Sequence, residues 1–240
     1  MPYYYYGFDW TYIVLVLPCL ILSLWASAKV NSTFKKYSRQ RTLRGLTAQE
    51  AAMRVLSANG VSGVRIERVS GNLTDHYDPR ANVIRLSDSV YDNTSTAAIG
   101  VACHEAGHAV QYAQDYAPIK LRAAIIPVTN IGSKLAIPLI LLGILFSGLG
   151  QFSDTIIYIG IACFGLSVVF QFATLPVEFN ASHRALQTIE STGILTEEEQ
   201  KGARKTLTAA AMTYVAATAT ALAQLLRLIV LFGRRNNDQR

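Results

Sequence analysis

The sequence predicts a mainly α integral membrane protein with three to four transmembrane helices and a small α+β portion. Three observations predict it. Of 240 residues, 51% are hydrophobic and only 16% charged, with a mean hydropathy of +0.26. Several uncharged stretches reach the roughly 20 residues that cross a bilayer core. Between them lie polar blocks patterned as short helices and alternating strands.

Residues 11–28, "TYIVLVLPCLILSLWASA", are free of charge and predict the N-terminal transmembrane anchor, residues 1–28. A cleaved signal peptide needs basic residues ahead of its apolar run, whereas Asp9 and no Lys or Arg precede this one, so the anchor is expected to stay. The opening "PYYYYGFDW" predicts a cluster of aromatic rings at headgroup depth. Lys29, Lys35, Lys36, Arg39, Arg41 and Arg44 follow the anchor, where the positive-inside rule puts cytoplasmic charge. The net charge of +6 therefore reads as orientation and contact with anionic lipid; basic residues without interleaved aromatics give no nucleic-acid surface.

Residues 29–122 are expected to be cytoplasmic. Thr47 followed by Glu50 predicts a capped helix with Ala51, Ala52, Val55 and Leu56 on one face, ended by Asn59-Gly60. Val64 to Val69 alternate as a half-buried strand, a turn follows at Asp78 to Asn82, and Val83 to Leu86 form a further strand. Asn93, Thr94, Ser95 and Thr96 are candidate caps of a helix running to about Gln114. Residues 123–175 predict a transmembrane hairpin turning around Gln151 to Asp154. Residues 176–205 return to the cytoplasmic side, with Pro176 suited to the first turn of a new helix. Residues 206–240 predict a C-terminal membrane-associated helix interrupted by Arg227. Its full crossing would put Arg234, Arg235 and Arg240 outside, against the charge rule, so the sequence leaves its crossing open. Cys19, Cys103 and Cys163 have no paired spacing; Cys103 beside His104 reads as a small buried filler.

The chemistry concentrates in "HEAGH". His104 and His108 are four apart, hence about 40° apart around a helix, and present both imidazoles to one point. Glu105 lies at the edge of that face, where a carboxylate reaches a zinc-bound water and takes its proton. From four His and eight Glu in the chain, this pattern arises by chance about twice in a thousand sequences. A catalytic zinc keeps three protein ligands. No third histidine follows at short spacing, which leaves His76, His183 and the acidic residues. Glu178 is the strongest, because it stands alone among apolar neighbours after the third span, where an unpaired carboxylate is costly. Ser182, one turn on, is a candidate to orient a ligand histidine, and His183 and Arg184 are candidates to stabilise a developing oxyanion. Asp75, His76 and Asp78 read chiefly as residues that tie down the hairpin, with metal or substrate contact as the alternative.

"NLTDHYDPRANVIRLSDSVY", "HEAGHAVQ", "LPVEFNASHRAL" and "LTAAAMTYVAA" occur in that order over nearly the whole chain and resemble the bacterial neutral zinc metallopeptidases of the YugP type. More distantly the pattern is similar to HtpX and the CAAX prenyl proteases, which are membrane-embedded gluzincins. The resemblance implies zinc held by His104, His108 and Glu178, with Glu105 as base. Where those distant relatives carry an acidic residue four after the third ligand, this chain has Ser182. A zincin-like α+β part is then expected, in which Val83, Ile84, Arg85 and Leu86 form an edge strand that an extended substrate joins by main-chain hydrogen bonds. The expected function is a multi-pass cell-membrane zinc endopeptidase working at the cytoplasmic face on membrane-associated or unfolded protein, without nucleic acid. An intramembrane protease and a non-catalytic metal-binding membrane protein are the alternatives. The first needs the motif helix to be a span, against its polar flanks Asn93, Gln111, Gln114 and Asp115; the second has no use for Glu105.

Overall fold

The structure is a computed structural model that describes residues 10–237. Of the expected aromatic cluster at residues 2–10, residues 2–9 lie outside the described residues, as does Arg240, while Trp10 is exposed. A π-helical turn (Tyr12–Val16) leads into α1 (Leu17–Tyr37), followed by α2 (Ala48–Ala58), β1 (Arg65–Val69), β2 (His76–Asp78), β3 (Val83–Ser87), α3 (Thr96–Ala113), α4 (Ala117–Leu145), a 3-10 turn (Ser147–Leu149), α5 (Gln151–Ser191) and α6 (Glu197–Asn237). Contacts divide the chain into two compact units. One is Ala26–Ala123 with Ala173–Tyr214; the other takes residues 10–25, Ala124–Phe172 and residues 215–237.

In the first, sheet-bearing unit, local sequence signals act as expected. Thr47 and Glu50 form the reciprocal capping box that starts α2, and Ser95 caps α3 by accepting from the Ala98 amide. Each satisfies backbone donors that a helix start otherwise leaves open. Ala51, Ala52, Val55 and Leu56 of α2 bury against Ala98, Ile99, Ala102 and Ala106 of α3 in one core with Ile84, Leu86, Ile189 and Leu207.

The strand order is β1-β3-β2, with β1 parallel to β3 and β2 antiparallel to it. This corrects the expectation for Val83, Ile84, Arg85 and Leu86. β3 is the central strand, paired along its length with Arg65–Val69 and on its other side with His76–Asp78. Past that pairing the Ser87 amide donates to Asp75 Oδ1 at 2.7 Å. Val83, Ile84 and Leu86 are fully buried. The main-chain groups a substrate strand would need are already used. The tie-down reading of the hairpin residues fits their bonds. Asp78 Oδ1 accepts from the Arg80 and Ala81 amides and Oδ2 from Arg85 Nη1 at 3.0 Å, so this ion pair holds the Asp78 carboxyl below its ordinary range.

In the second, helical unit, α4 and α5 meet through small residues. A Cβ at Gly143 would lie 2.9 Å from the Ser153 carbonyl oxygen, and one at Gly160 would lie 3.0 Å from that of Ala136. Close helix approach of this kind is how helices associate where no hydrophobic drive separates them from lipid. Ile140, Ile157, Ile161 and Leu228 bury together there. Ser23 Oγ and Thr220 Oγ1 share a hydrogen bond at 3.1 Å, and the Arg227 guanidinium lies over the Tyr12 ring, 5.3 Å from its centre. Large apolar side chains such as Leu141, Leu145, Phe152, Ile159 and Phe172 are exposed.

Among the described residues, four helices are long and apolar enough to cross a membrane: Tyr12–Tyr37, Ala117–Leu145, Gln151–Ser191 and Glu197–Gly233. Two boundaries differ from the sequence expectation. The hairpin break falls before Gln151, at the 3-10 turn ended by Gly150 with φ +58°. Pro176 lies inside the 41-residue α5 instead of starting a helix. A proline there removes a single amide donor, and the helix continues through it.

Candidate metal centre

α3 supplies His104, Glu105 and His108, and α5 supplies Glu178 and Ser182. The two helices approach closely because position 107 is glycine: a Cβ on Gly107 would stand 2.5 Å from the Ala181 carbonyl oxygen. That approach brings Glu178 Oε2 to 3.3 Å from His104 Nε2 and 3.5 Å from His108 Nε2. The three ligand atoms all lie within 4.8 Å of one another.

The donor set fits zinc. Ligand atoms of a tetrahedral zinc bonded at about 2.1 Å stand about 3.4 Å apart, the separation of Glu178 Oε2 from both imidazoles. Glu178 is 3% exposed, and its Oε2 has no hydrogen-bond donor among the described residues. A buried carboxylate oxygen without a donor is costly unless a cation takes the donor's place. His108 shows the same preference. Burial alone would lower its pKa, yet contact with the Glu178 carboxylate and the charge of Glu105 raise it above the ordinary histidine value.

The supports of the two histidines fix which nitrogen faces the cluster. Gln111 Nε2 donates to the Val177 carbonyl at 2.8 Å and to Asn180 Oδ1 at 2.9 Å. Asn180 Oδ1 also accepts from Arg184 Nε at 2.7 Å. A carbonyl only accepts and a guanidinium only donates, so both amides can point one way only. Gln111 Oε1 therefore faces His108 Nδ1, at 3.0 Å, and accepts its proton. His108 Nε2 keeps its lone pair for the cluster. His104 Nδ1 lies 3.0 Å from Ser182 Oγ, a hydroxyl that is able to accept its proton. Arg122 Nη1 donates to Glu178 Oε1 at 3.4 Å, leaving Oε2 to the histidines.

A cavity of about 200 Å³ reaches the cluster and is lined in part by Asp75, His104, Glu105, Glu178, Ser182 and Tyr214. Tyr214 stands within interaction range of both Glu178 and Glu105. Burial, with the charge of Glu105 adding, raises the Asp75 carboxyl although Ser87 donates to it.

Of the residues singled out by sequence, His104, Glu105, His108, Glu178 and Ser182 come together. Three others do not. His76 sits on β2, its Nδ1 on the Thr74 carbonyl and its Nε2 3.4 Å from Arg85. His183 is exposed. Arg184 turns to Asn180, Gln114 and the Tyr116 ring. On a helix, neighbours of position 182 point to different faces, so adjacency in sequence did not carry His183 and Arg184 into the cavity. Gln111, Asn180, Arg122 and Tyr214 are the functional candidates that sequence reasoning missed. Gln111 did carry a signal, standing three after His108 on the ligand face of α3; the others have none, because only tertiary packing brings them in. Burial pushes the Cys103 thiol upward, which suits its reading as packing.

A helix pair that brings two histidines and a glutamate together where they could hold a metal ion, in a chain whose described residues include four helices apolar enough to cross a membrane, has the features of a membrane metalloprotein. Residues 12–233 match the family model described as "Putative neutral zinc metallopeptidase", and the chain belongs to that family. It is 47% identical over 228 residues to a Bacillus subtilis (strain 168) protein described as "Putative membrane protease YugP", covering 94% of this chain and 99% of that one. No solved structure matches the chain.

Proposed function

We propose that the chain is a membrane-anchored zinc endopeptidase of the gluzincin type, with a zincin-like α+β part and its active site at the cytoplasmic face. Residues 29–122 and 176–205 would form the cytoplasmic part, and residues 1–28, 123–175 and 206–240 the membrane part. The observation that supports the reading best is the buried, donorless Glu178 Oε2 facing two imidazoles beside a further carboxylate, Glu105, on one cavity.

His104, His108 and Glu178 would hold the zinc, which when bound supplies a Lewis acid that polarises water and the peptide carbonyl. Gln111 and Ser182 keep the two imidazoles aimed, and Arg122 keeps Glu178 turned toward them. Glu105 accepts the proton of the attacking water and delivers it to the nitrogen of the leaving amine, so one carboxylate acts as base and then as acid. Tyr214 donates from the cavity wall to the carbonyl oxygen as negative charge develops there. The orientation follows from the six basic residues after the anchor, which outweigh Arg234 and Arg235 at the far end of α6.

The test is Glu105→Gln in the full chain. It is expected to keep one zinc per chain by metal analysis while cleavage of an unfolded membrane substrate falls about a thousandfold. Undiminished cleavage would sink the reading.

A further inference from the structure

Beyond the groups that act on the peptide bond, the cavity has a wall that the reaction itself leaves unused. Val30 and Phe34 of α1, Val101 of α3, and Leu207, Ala210 and Ala211 of α6 make that wall apolar. Phe34 and Leu207 belong at the same time to the main core, so the wall is firm.

We propose that this is a specificity pocket that takes one apolar side chain of leucine to phenylalanine size beside the bond to be cut, a proposal that rests on the peptidase reading. An apolar cavity of about 150 Å³ accepts a benzene-sized guest, and this one measures about 200 Å³. The two alanines set its reach, since each leaves space that a longer side chain on α6 would occupy. The same cavity is also lined by the carboxylates of Asp75, Glu105 and Glu178. An aspartate or glutamate entering there loses its water against the apolar wall with no donor in return and is excluded. A lysine or arginine likewise loses its water at the apolar wall, and the carboxylates on the cavity are already engaged. Asp75 accepts from Ser87 at both oxygens, Glu178 belongs to the ligand set, and Glu105 is needed by the reaction. Through Val30 and Phe34, the anchor helix then takes part in substrate choice as well as in attachment.

The experiment uses the full chain in detergent micelles, loaded with zinc, and a mixed peptide library whose cut sites are read by mass spectrometry. One position beside the cut is expected to favour Leu, Met or Phe over Gly by about tenfold or more, with Asp and Glu least. Ala210→Leu fills the pocket and should move the preference to Ala and Val, whereas Phe34→Leu widens it and should favour Phe further. A binding readout stands apart from turnover: Glu105→Gln should bind a short Leu-containing peptide about tenfold more tightly than its Asp counterpart by calorimetry. Cutting with no side-chain preference, a preference for Lys or Arg, or an unchanged preference in both pocket variants overturns the pocket and leaves the peptidase reading standing. Undiminished cutting by Glu105→Gln overturns that reading and the proposal with it.

Discussion

The two units of the molecule both use glycine to bring helices together, to different ends. In the sheet-bearing unit, Gly107 lets α3 approach the backbone at Ala181, and the approach delivers named atoms to named places: Nε2 of two histidines to one carboxylate oxygen. Hydrogen bonds of determined direction then hold those atoms, from Arg184 through Asn180 and Gln111 to His108. In the helical unit, Gly143 and Gly160 also permit close contact, but what meets there is aliphatic surface, Ile140 and Ile157, whose neighbours are interchangeable so long as volume is kept. Chemistry needs direction, which polar groups supply; cohesion in lipid needs only fit.

That contrast can be broken at several points, beginning with the largest effect. Glu178→Ala removes a ligand and should abolish stoichiometric zinc and lower cleavage by about a thousandfold or more, read by metal analysis and peptide turnover. Zinc retained at one per chain would show that the cluster is not the metal site. Gly107→Val forces a side chain into the Ala181 carbonyl and should weaken zinc binding by about a hundredfold. An unchanged affinity, measured by competition with a chelator, would mean that the helix spacing does not set the site. Gln111→Leu keeps the volume but removes both the acceptor for His108 Nδ1 and the donor to the Val177 carbonyl; zinc affinity should fall about tenfold to a hundredfold, and stability by about 1–3 kcal/mol. The mildest functional effect is expected from Gly143→Leu. It should lower the thermal midpoint by several degrees through overpacking while zinc affinity and specific activity stay within about twofold. A matching loss of activity would show that the membrane helices also set the site, and the contrast would fail.

Much of this was legible in the sequence, for physical reasons that differ by element. The α2 start was readable because a capping box is local, and the ligand pair because a four-residue spacing converts directly into one helix face. Glu178 was readable from its isolation among apolar neighbours. The strand order was not. Alternation identifies a strand and its buried face but not its partners, and the parallel pairing of β1 with β3 reaches past the intervening hairpin. This is why β3 was expected at an edge. Pro176 misled because proline suits a first helical turn but is also tolerated inside a long helix, where it removes one amide donor, and α5 runs through it for 41 residues. The hairpin turn was displaced by a few residues, although Gly148 and Gly150 marked it. The relay from Arg184 to His108 joins segments far apart in the chain, and no local pattern encodes that.

The close pairing of α3 and α5 also bears on the protein's stability. His104 and Ser182 are 78 residues apart in sequence, so an ion shared by His104, His108 and Glu178 acts as a clasp over that long intervening stretch. A ligand bound by the folded chain alone stabilises it in proportion to the logarithm of its free concentration. If that cluster is the zinc site, scarcity of zinc would lower the stability of the folded chain together with the occupancy of the site.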